Sequence, residues 1–235
     1  MNRPVRPPGG RVGVAGQVHM RQIQARVGAV AAPLPRQDGR MTYVLSTPAA
    51  IPAGTLVAAP QPVLPAGGDL VLRPWDTADV PAFLAAYRDP AIQRWHTHHP
   101  ATEDHVREWF DGYRRDWALE KAAHWAVTRD GGEVLGRLAM RGINLDDGNA
   151  GCAYWVVPAA RGAGVATRAL TAVSTWAMDR IGFHRLALDH STRNEASCRV
   201  ATKAGYVLEG TQRSAAVHAD GRHDMHLHAR VRSSS

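Results

Sequence analysis

The 235-residue chain has room for one ordinary domain plus an appendage, and its two cysteines, Cys152 and Cys198, offer no disulfide framework. Its formal charge of +7 is unevenly placed: residues 1–66 hold seven arginines, no lysine and one acid, Asp38, a net +6 that leaves +1 for the remainder. The expected folded part is therefore nearly neutral, so a nucleic-acid groove is not implied and phosphate attraction would be confined to the tail. No apolar run approaches a membrane span, and prolines and glycines fill the place where a signal peptide needs its apolar segment, so the cytoplasm is the expected compartment.

Residues 1–66 are rich in Pro, Gly, Ala, Val and Arg with no sustained period, which predicts a disordered extension, its later part, 42–66, draping on the domain. Met41 is an alternative start, and a basic anchoring arm is the other reading of this segment. The domain is expected over 67–235. Leu70–Arg73 reads as a strand, and Asp76 or Thr77 caps a helix with Val80, Phe83, Leu84 and Tyr87 on one face, ended by Asp89-Pro90. Thr102 opens a second helix in which Val106, Trp109, Phe110, Tyr113 and Trp117 recur at spacings of three and four. Strands His124–Thr128 and Val134–Arg141 flank the hairpin signal Asp130-Gly131-Gly132, and a turn at Asp146-Asp147-Gly148-Asn149 leads into strand Cys152–Val157. A long helix is predicted from Gly162 to Arg180, with Gly182 past its end. Strand Arg185–His190, helix Asn194–Ala204 and the pair Tyr206–His218 and His223–Val231 complete an α/β layered sheet.

The most informative segment is Tyr154–Thr167: an apolar strand, a proline stop, a glycine turn and a helix opening. A helix that begins in such a turn aims unpaired N–H groups at one point with the positive dipole end behind them, which suits a phosphate or pyrophosphate. Gly162 and Gly164 lack a Cβ, so a ligand can lie against the backbone. The same pattern also occurs as a plain connection. It is neither a P-loop nor a dinucleotide fingerprint, because the Gly-Lys-Ser/Thr end and the third small residue are missing.

Arg161-Gly162-Ala163-Gly164-Val165-Ala166 resembles the Arg/Gln-x-x-Gly-x-Gly/Ala signature of the GNAT superfamily of acyl-CoA-dependent N-acetyltransferases. The wider Tyr154-to-Thr167 pattern is similar to the subgroup of ribosomal-protein N-terminal acetyltransferases typified by RimJ and RimL. Further matches follow in order: Leu72-Arg73-Pro74, Trp125-Ala126-Val127 with Gly136, Asn194-x-x-Ser197, Gly205-Tyr206-x-x-Glu209-Gly210, and Asp224. The resemblance covers about residues 69–231. It implies a mixed, mostly antiparallel sheet flanked by helices, whose fourth and fifth strands splay apart to admit the cofactor, here between Cys152–Val157 and Arg185–His190.

The resemblance also implies acetyl-CoA as co-substrate, an amine as acceptor (a protein N-terminus or a small molecule), and a monomer or homodimer. It places the diphosphate on Gly162, Ala163, Gly164, Val165, Ala166 and Thr167, with Arg161 as a positioning residue or a plain surface arginine. The pantetheine arm falls along the strand edge at Trp155 and Val156, where a backbone N–H can stabilise the oxyanion. Asn194 reads as a helix N-cap and, by resemblance, as a pantetheine contact. Ser197 is a first-turn helix residue by spacing; by resemblance it hydrogen-bonds or protonates the departing sulfur, a role that many relatives give to a Tyr at the position of Ala201. The Glu that RimL-like enzymes carry on the strand after the Gly-aromatic motif is Ala216 here. Asp189, His190 and His218 remain as candidate bases, and strand alternation lets only one of Asp189 and His190 face the site. The histidines of Trp95–Pro100, a segment expected to link the two early helices beside the acceptor, and the alternating Asp224, His226 and His228 read as solvated or substrate-lining groups. No matching acid or Cys lies nearby in sequence, so no metal is expected. Against the enzyme reading stand a noncatalytic acyl-CoA-binding module and an adaptor that docks on RNA or ribosomes through its basic tail.

Overall fold

A computed structural model describes residues 47–233. The strands are β1 (Leu64–Pro65), β2 (Leu70–Pro74), β3 (Ala122–Arg129), β4 (Val134–Asn144), β5 (Asn149–Val156), β6 (Arg185–Ser191), β7 (Val207–His218) and β8 (Gly221–Val231). The helices are α1 (Val80–Ala86), α2 (Pro90–Trp95), α3 (Glu103–Ala118), α4 (Val165–Thr175) and α5 (Glu195–Lys203). The sheet runs β1-β2-β3-β4-β5-β6-β8-β7, and every neighbouring pair is antiparallel except β5 and β6. This is the mixed, mostly antiparallel architecture expected.

Strand alternation sends side chains to opposite faces of the sheet and separates two apolar clusters. Leu72, Trp125, Val127, Leu138 and Met140 pack with Leu170 and Val173 of α4. Trp75, Ala126 and Trp155 pack with Phe83, Tyr87, Val106 and Phe110 from α1 to α3. The helix starts carry the side-chain caps that the sequence announces. Asp76 accepts from Ala78 and forms a capping box with Asp79, and Thr102 accepts from His105. The hairpin at Asp130-Gly131 uses positive φ at both residues, 48° and 80°.

Three expectations are corrected. Residues 47–66 are built into the domain rather than disordered: Ile51, Leu56 and Leu64 are core residues, and Leu64 pairs with Leu72 across β1 and β2. Polar contacts pin the same stretch, with Gly54 and Leu56 N–H donating to the Glu120 carboxylate and the Trp125 indole donating to the Pro62 carbonyl. Isolated apolar residues among prolines fill gaps without producing any period. Next, Asp89-Pro90 ends one helix but also begins α2: the Asp89 side chain accepts from Ile92 N–H, and Pro90 needs no donor at that position. Trp95 is therefore helical, and the link to α3 starts at His96. Finally, α4 begins at Val165 rather than Gly162 and widens into a π-type turn over Trp176–Ile181 before Gly182 closes it at φ +99°. Met41, the arginines of the tail and the basic-arm reading lie outside the described residues.

Candidate active site

Between β5 and α4 the chain makes a short turn at Pro158–Ala160, then passes Gly162 at φ +81° and Gly164 at φ +74°. Left-handed backbone costs a residue with a Cβ roughly 1–2 kcal/mol, so glycine suits both places. Gly164 is the N-cap of α4 and supplies no side-chain acceptor, which leaves the first N–H groups of the helix without a capping side chain. A Cβ at either glycine would meet nothing within 4 Å, so the backbone here faces open space. Arg161 ties this turn down: its Nε donates to the Val156 carbonyl at 3.2 Å and its guanidinium reaches Asp89 at 2.6 Å. Asp89 is the cap of α2, so one ion pair joins the turn to that helix. Burial works against the Asp89 charge, but the hydrogen bonds from Arg161 and the Ile92 N–H prevail and hold its carboxyl below the usual range.

β5 and β6 pair only at Asn149↔Arg185, Ala150↔Leu186 and Gly151↔Ala187. Beyond Gly151 β5 is bonded to β4 alone, and β6 continues with β8, so the two strands part as expected. A cavity of about 780 Å³ occupies the gap and extends to the glycine turn. Trp155 buries its indole among Trp75, Phe83 and Tyr87 and donates to the Tyr87 hydroxyl at 3.3 Å. Its main chain, with that of Val156, thus forms the free edge of the slot. Gly136 on β4 lies against the same segment, where a Cβ would sit 2.5 Å from the Trp155 carbonyl oxygen.

Trp155, Val156, Arg161, Gly162, Gly164, Val165, Ala166, Thr167, Asp189, His190, Asn194 and Ser197 all border this cavity, whereas Ala163 does not. The structure thus brings every other proposed site residue to one slot. Asp189 and His190 both border the cavity, and alternation along β6 sends their side chains to opposite faces, Asp189 exposed and His190 buried. Asp189 accepts from Arg141 at 2.8 Å. His190 is buried, and its Nδ1 donates to the Ser191 carbonyl at 2.8 Å.

Asn194 caps α5, accepting from the Ser197 N–H at 3.1 Å. Ser197 Oγ lies 2.8 Å from the Tyr154 hydroxyl across the slot. Burial pushes that phenol up to about 12, against the opposing pull of its bond to Ser197, so Tyr154 is protonated at neutral pH. Sequence reasoning missed Tyr154. Its signal was alternation beside the core-facing Trp155, which turns Tyr154 to the opposite face.

At the far end, α2 (Ile92, Trp95), His96 and Thr97 oppose Ala216, Val217 and His218 of β7. Ala216 lines this end of the cavity and offers no carboxylate there. His218 Nδ1 donates to the Arg94 carbonyl at 3.1 Å, and its Nε2 is buried without a hydrogen-bond partner. Its ring stacks on His223 at 4.3 Å and meets the edge of Trp95. Burial, aided by the nearby Arg137 charge, holds His96 down at about 4, so it is neutral at physiological pH. His98 and His99 are exposed and do not border the cavity.

An anion-ready helix opening, a strand edge free to pair with an amide-bearing arm, and a hydroxyl pair at the end of the slot define an acyl-CoA-dependent transferase. The acetyltransferase (GNAT) domain family matches residues 69–207, more than half of the chain, and the chain belongs to that family. Transfer of an acetyl group from acetyl-CoA is the reaction of that family. YdaF of Bacillus subtilis (strain 168), named provisionally as a ribosomal N-acetyltransferase, is 24% identical over 156 residues, covering 65% of this chain and 84% of YdaF. Among solved structures, RimL, the ribosomal L7/L12 alpha-N-protein acetyltransferase in complex with coenzyme A, is 22% identical with a TM-score of 0.67, covering 72% of this chain and 98% of its own. RimJ of Mycobacterium smegmatis, solved with CoA-disulfide, is also 22% identical, with a TM-score of 0.65 and coverage of 72% and 85%. Among the described residues no helix is long and apolar enough to cross a membrane.

Proposed function

We propose that this acetyltransferase acts on an α-amine, as at a protein N-terminus, in preference to a lysine side chain. The observation that carries this reading is that, among the described residues lining the cavity, no free carboxylate stands at the acceptor end. Ala216 occupies the strand position, Asp189 is held by Arg141, and His96 is too weak a base at about 4. An α-amine of pKa ~8 loses its proton near pH 7 for about 1.4 kcal/mol, whereas a lysine at ~10.4 needs about 4.6 kcal/mol. An imidazole lone pair suffices for the first. His218 fits that role, because donation from Nδ1 to the Arg94 carbonyl leaves the lone pair on the unpartnered Nε2.

In this reading Gly162, Gly164, Val165, Ala166 and Thr167 hold the diphosphate through their main chain, and Arg161 fixes the turn. Trp155 and Val156 pair with the pantetheine arm and present an N–H to the developing oxyanion. Ser197, backed by the Tyr154 hydroxyl, delivers a proton to the departing thiolate. Asn194 holds the first turn of α5 in place. Asp189 acts by orienting Arg141 at the slot, not as the base.

The test is thiol release from acetyl-CoA with paired peptides, one set with a free N-terminal Ser or Ala, the other Nα-blocked with a single Lys. The free α-amines are expected to react at least 10-fold faster at pH 7, below the full difference in deprotonation cost because water can relay a proton. Equal or faster turnover on the blocked lysine peptides would overturn the assignment.

A further inference from the structure

Behind the slot, three elements bring four soft donors together. His190 of β6 stands directly opposite His226 of β8 in the antiparallel register, and His228 follows two residues along on the same face. Cys198, one residue after Ser197 on α5, completes the group. One donor atom from each of the four lies within 4.8 Å of all the others, and Cys198 Sγ is 3.8 Å from His228 Nε2. The imidazoles of His190 and His228 are stacked with centroids 5.1 Å apart, and His226 meets His190 edge-on at 5.4 Å.

Tautomer and burial favour ligation. His190 Nδ1–H is committed to the Ser191 carbonyl, which leaves the lone pair on Nε2, and that atom is buried with no hydrogen-bond partner. His226 Nδ1 is also buried and unpartnered. An unsatisfied buried polar atom costs about 1–3 kcal/mol, and His190 Nε2 and His226 Nδ1 both carry that cost. A cation at their centre relieves it. Three nitrogens at about 2.0–2.1 Å and one thiolate at about 2.3 Å around a tetrahedral ion stand roughly 3.3–3.6 Å apart. The observed separations, none above 4.8 Å, exceed that set by no more than about 1.2–1.5 Å. Imidazole and thiolate donors with no carboxylate select zinc over magnesium or calcium.

We propose that His190, Cys198, His226 and His228 bind one zinc ion that clamps α5 to the β6–β8 pair. Acetyl transfer at the slot does not require this ion. Its effect is positional, since Ser197 and Asn194 ride on the clamped helix and His190 borders the cavity. The expectation of no metal arose because the ligands at 190, 198, 226 and 228 never come close in sequence; only the strand register and α5 assemble them.

The test uses full-length protein without a polyhistidine tag. Metal analysis after dialysis against zinc and gel filtration is expected to give one zinc per chain. Cobalt exchange is expected to give the intense visible bands of a tetrahedral site and a thiolate-to-cobalt charge-transfer band. Cys198→Ser should abolish that charge-transfer band, His228→Gln should lower zinc content at least 10-fold, and His99→Gln, outside the set, should change neither. A measurement without mutation guards against misfolded variants: zinc should slow alkylation of Cys198 in the wild-type chain at least 10-fold. Folded wild-type protein that takes up no stoichiometric zinc, or that keeps its zinc and cobalt spectrum in both ligand variants, would overturn the proposal. Alkylation indifferent to zinc would do the same.

Discussion

Replacing Ser197 by alanine removes a hydroxyl that sits 2.8 Å from Tyr154 at the cavity wall, and two separable effects follow. The first is on stability. The Tyr154 hydroxyl loses its partner while burial keeps it protonated, so the cost lies between an ordinary hydrogen bond and an orphaned buried group, about 1.5 kcal/mol. For a domain of this size that lowers Tm by roughly 3–6 °C. The second is on chemistry. Proton donation by a positioned group is worth about 10²–10⁴-fold, and a thiolate, with pKa near 8.5 for a free thiol, is a good enough leaving group to place this site at the low end. We therefore expect kcat to fall about 10²-fold, equivalent to about 2.7 kcal/mol of activation free energy. The affinity for CoA should change less than about 3-fold, because the diphosphate contacts proposed at Gly162–Thr167 are untouched. Tyr154→Phe, which keeps the Ser197 hydroxyl but removes its relay, should cost less, about 10-fold. Single-turnover thiol release gives the chemical step, and calorimetry with CoA gives the affinity. A folded Ser197→Ala enzyme with wild-type kcat would refute the assignment, as would a loss confined to CoA binding.

Three further predictions concern the frame around the slot. Gly136→Ala places a methyl 2.5 Å from the Trp155 carbonyl oxygen, and since backbone cannot rotate away, β5 must shift. The expected cost is about 1–3 kcal/mol in urea denaturation together with weaker CoA binding, and unchanged values of both would contradict the close approach. Asp89→Asn takes the charge out of the tie between the glycine turn and α2 while keeping an acceptor oxygen; because Arg161 is 41% exposed, stability should fall by less than about 1 kcal/mol while KM for the amine rises several-fold at constant kcat. A double-mutant cycle with Arg161→Ala should show the two effects to be non-additive, and full additivity would remove the coupling. His124 is buried against the Tyr113 ring, 3.7 Å between centroids, and burial with the adjacent Arg137 charge holds it down at about 2. The half-exposed Asp116, 3.9 Å away, does not offset this. The unfolded chain protonates this histidine below about pH 6.5 and the folded chain does not, so stability is lost as pH falls. The wild type should lose about 2 kcal/mol more than His124→Gln between pH 6.5 and 5, and parallel pH profiles would show that His124 titrates freely.

Much of the site was legible because its elements are local. Gly162 and Gly164 announce a turn with positive φ, and Asp76, Thr102 and Asn194 each sit where a side-chain oxygen can reach an N–H two or three residues on. The parting of β5 from β6 was expected from resemblance and appears where foreseen. What stayed hidden depends on pairing across long separations. The Tyr154–Ser197 contact spans 43 residues, and the histidines behind it meet Cys198 only through the β6–β8 register and the placement of α5. The residues from 47 to 66 were misjudged for another reason: Ile51, Leu56 and Leu64 each fill a separate gap, so no period marks them as core. α2 was overlooked because one dipeptide, Asp89-Pro90, serves at once as the end of a helix and the start of the next.

In the proposed function, main-chain N–H groups opening α4 receive the diphosphate of CoA. Backbone amide resonances of the 15N-labelled protein, followed during titration with CoA and separately with pantetheine, address it directly. The amides of Gly162, Gly164, Val165, Ala166 and Thr167 should move downfield with CoA and stay in place with pantetheine, which lacks the diphosphate. Saturating CoA that shifts other residues and leaves these five unmoved would rule out that placement of the diphosphate.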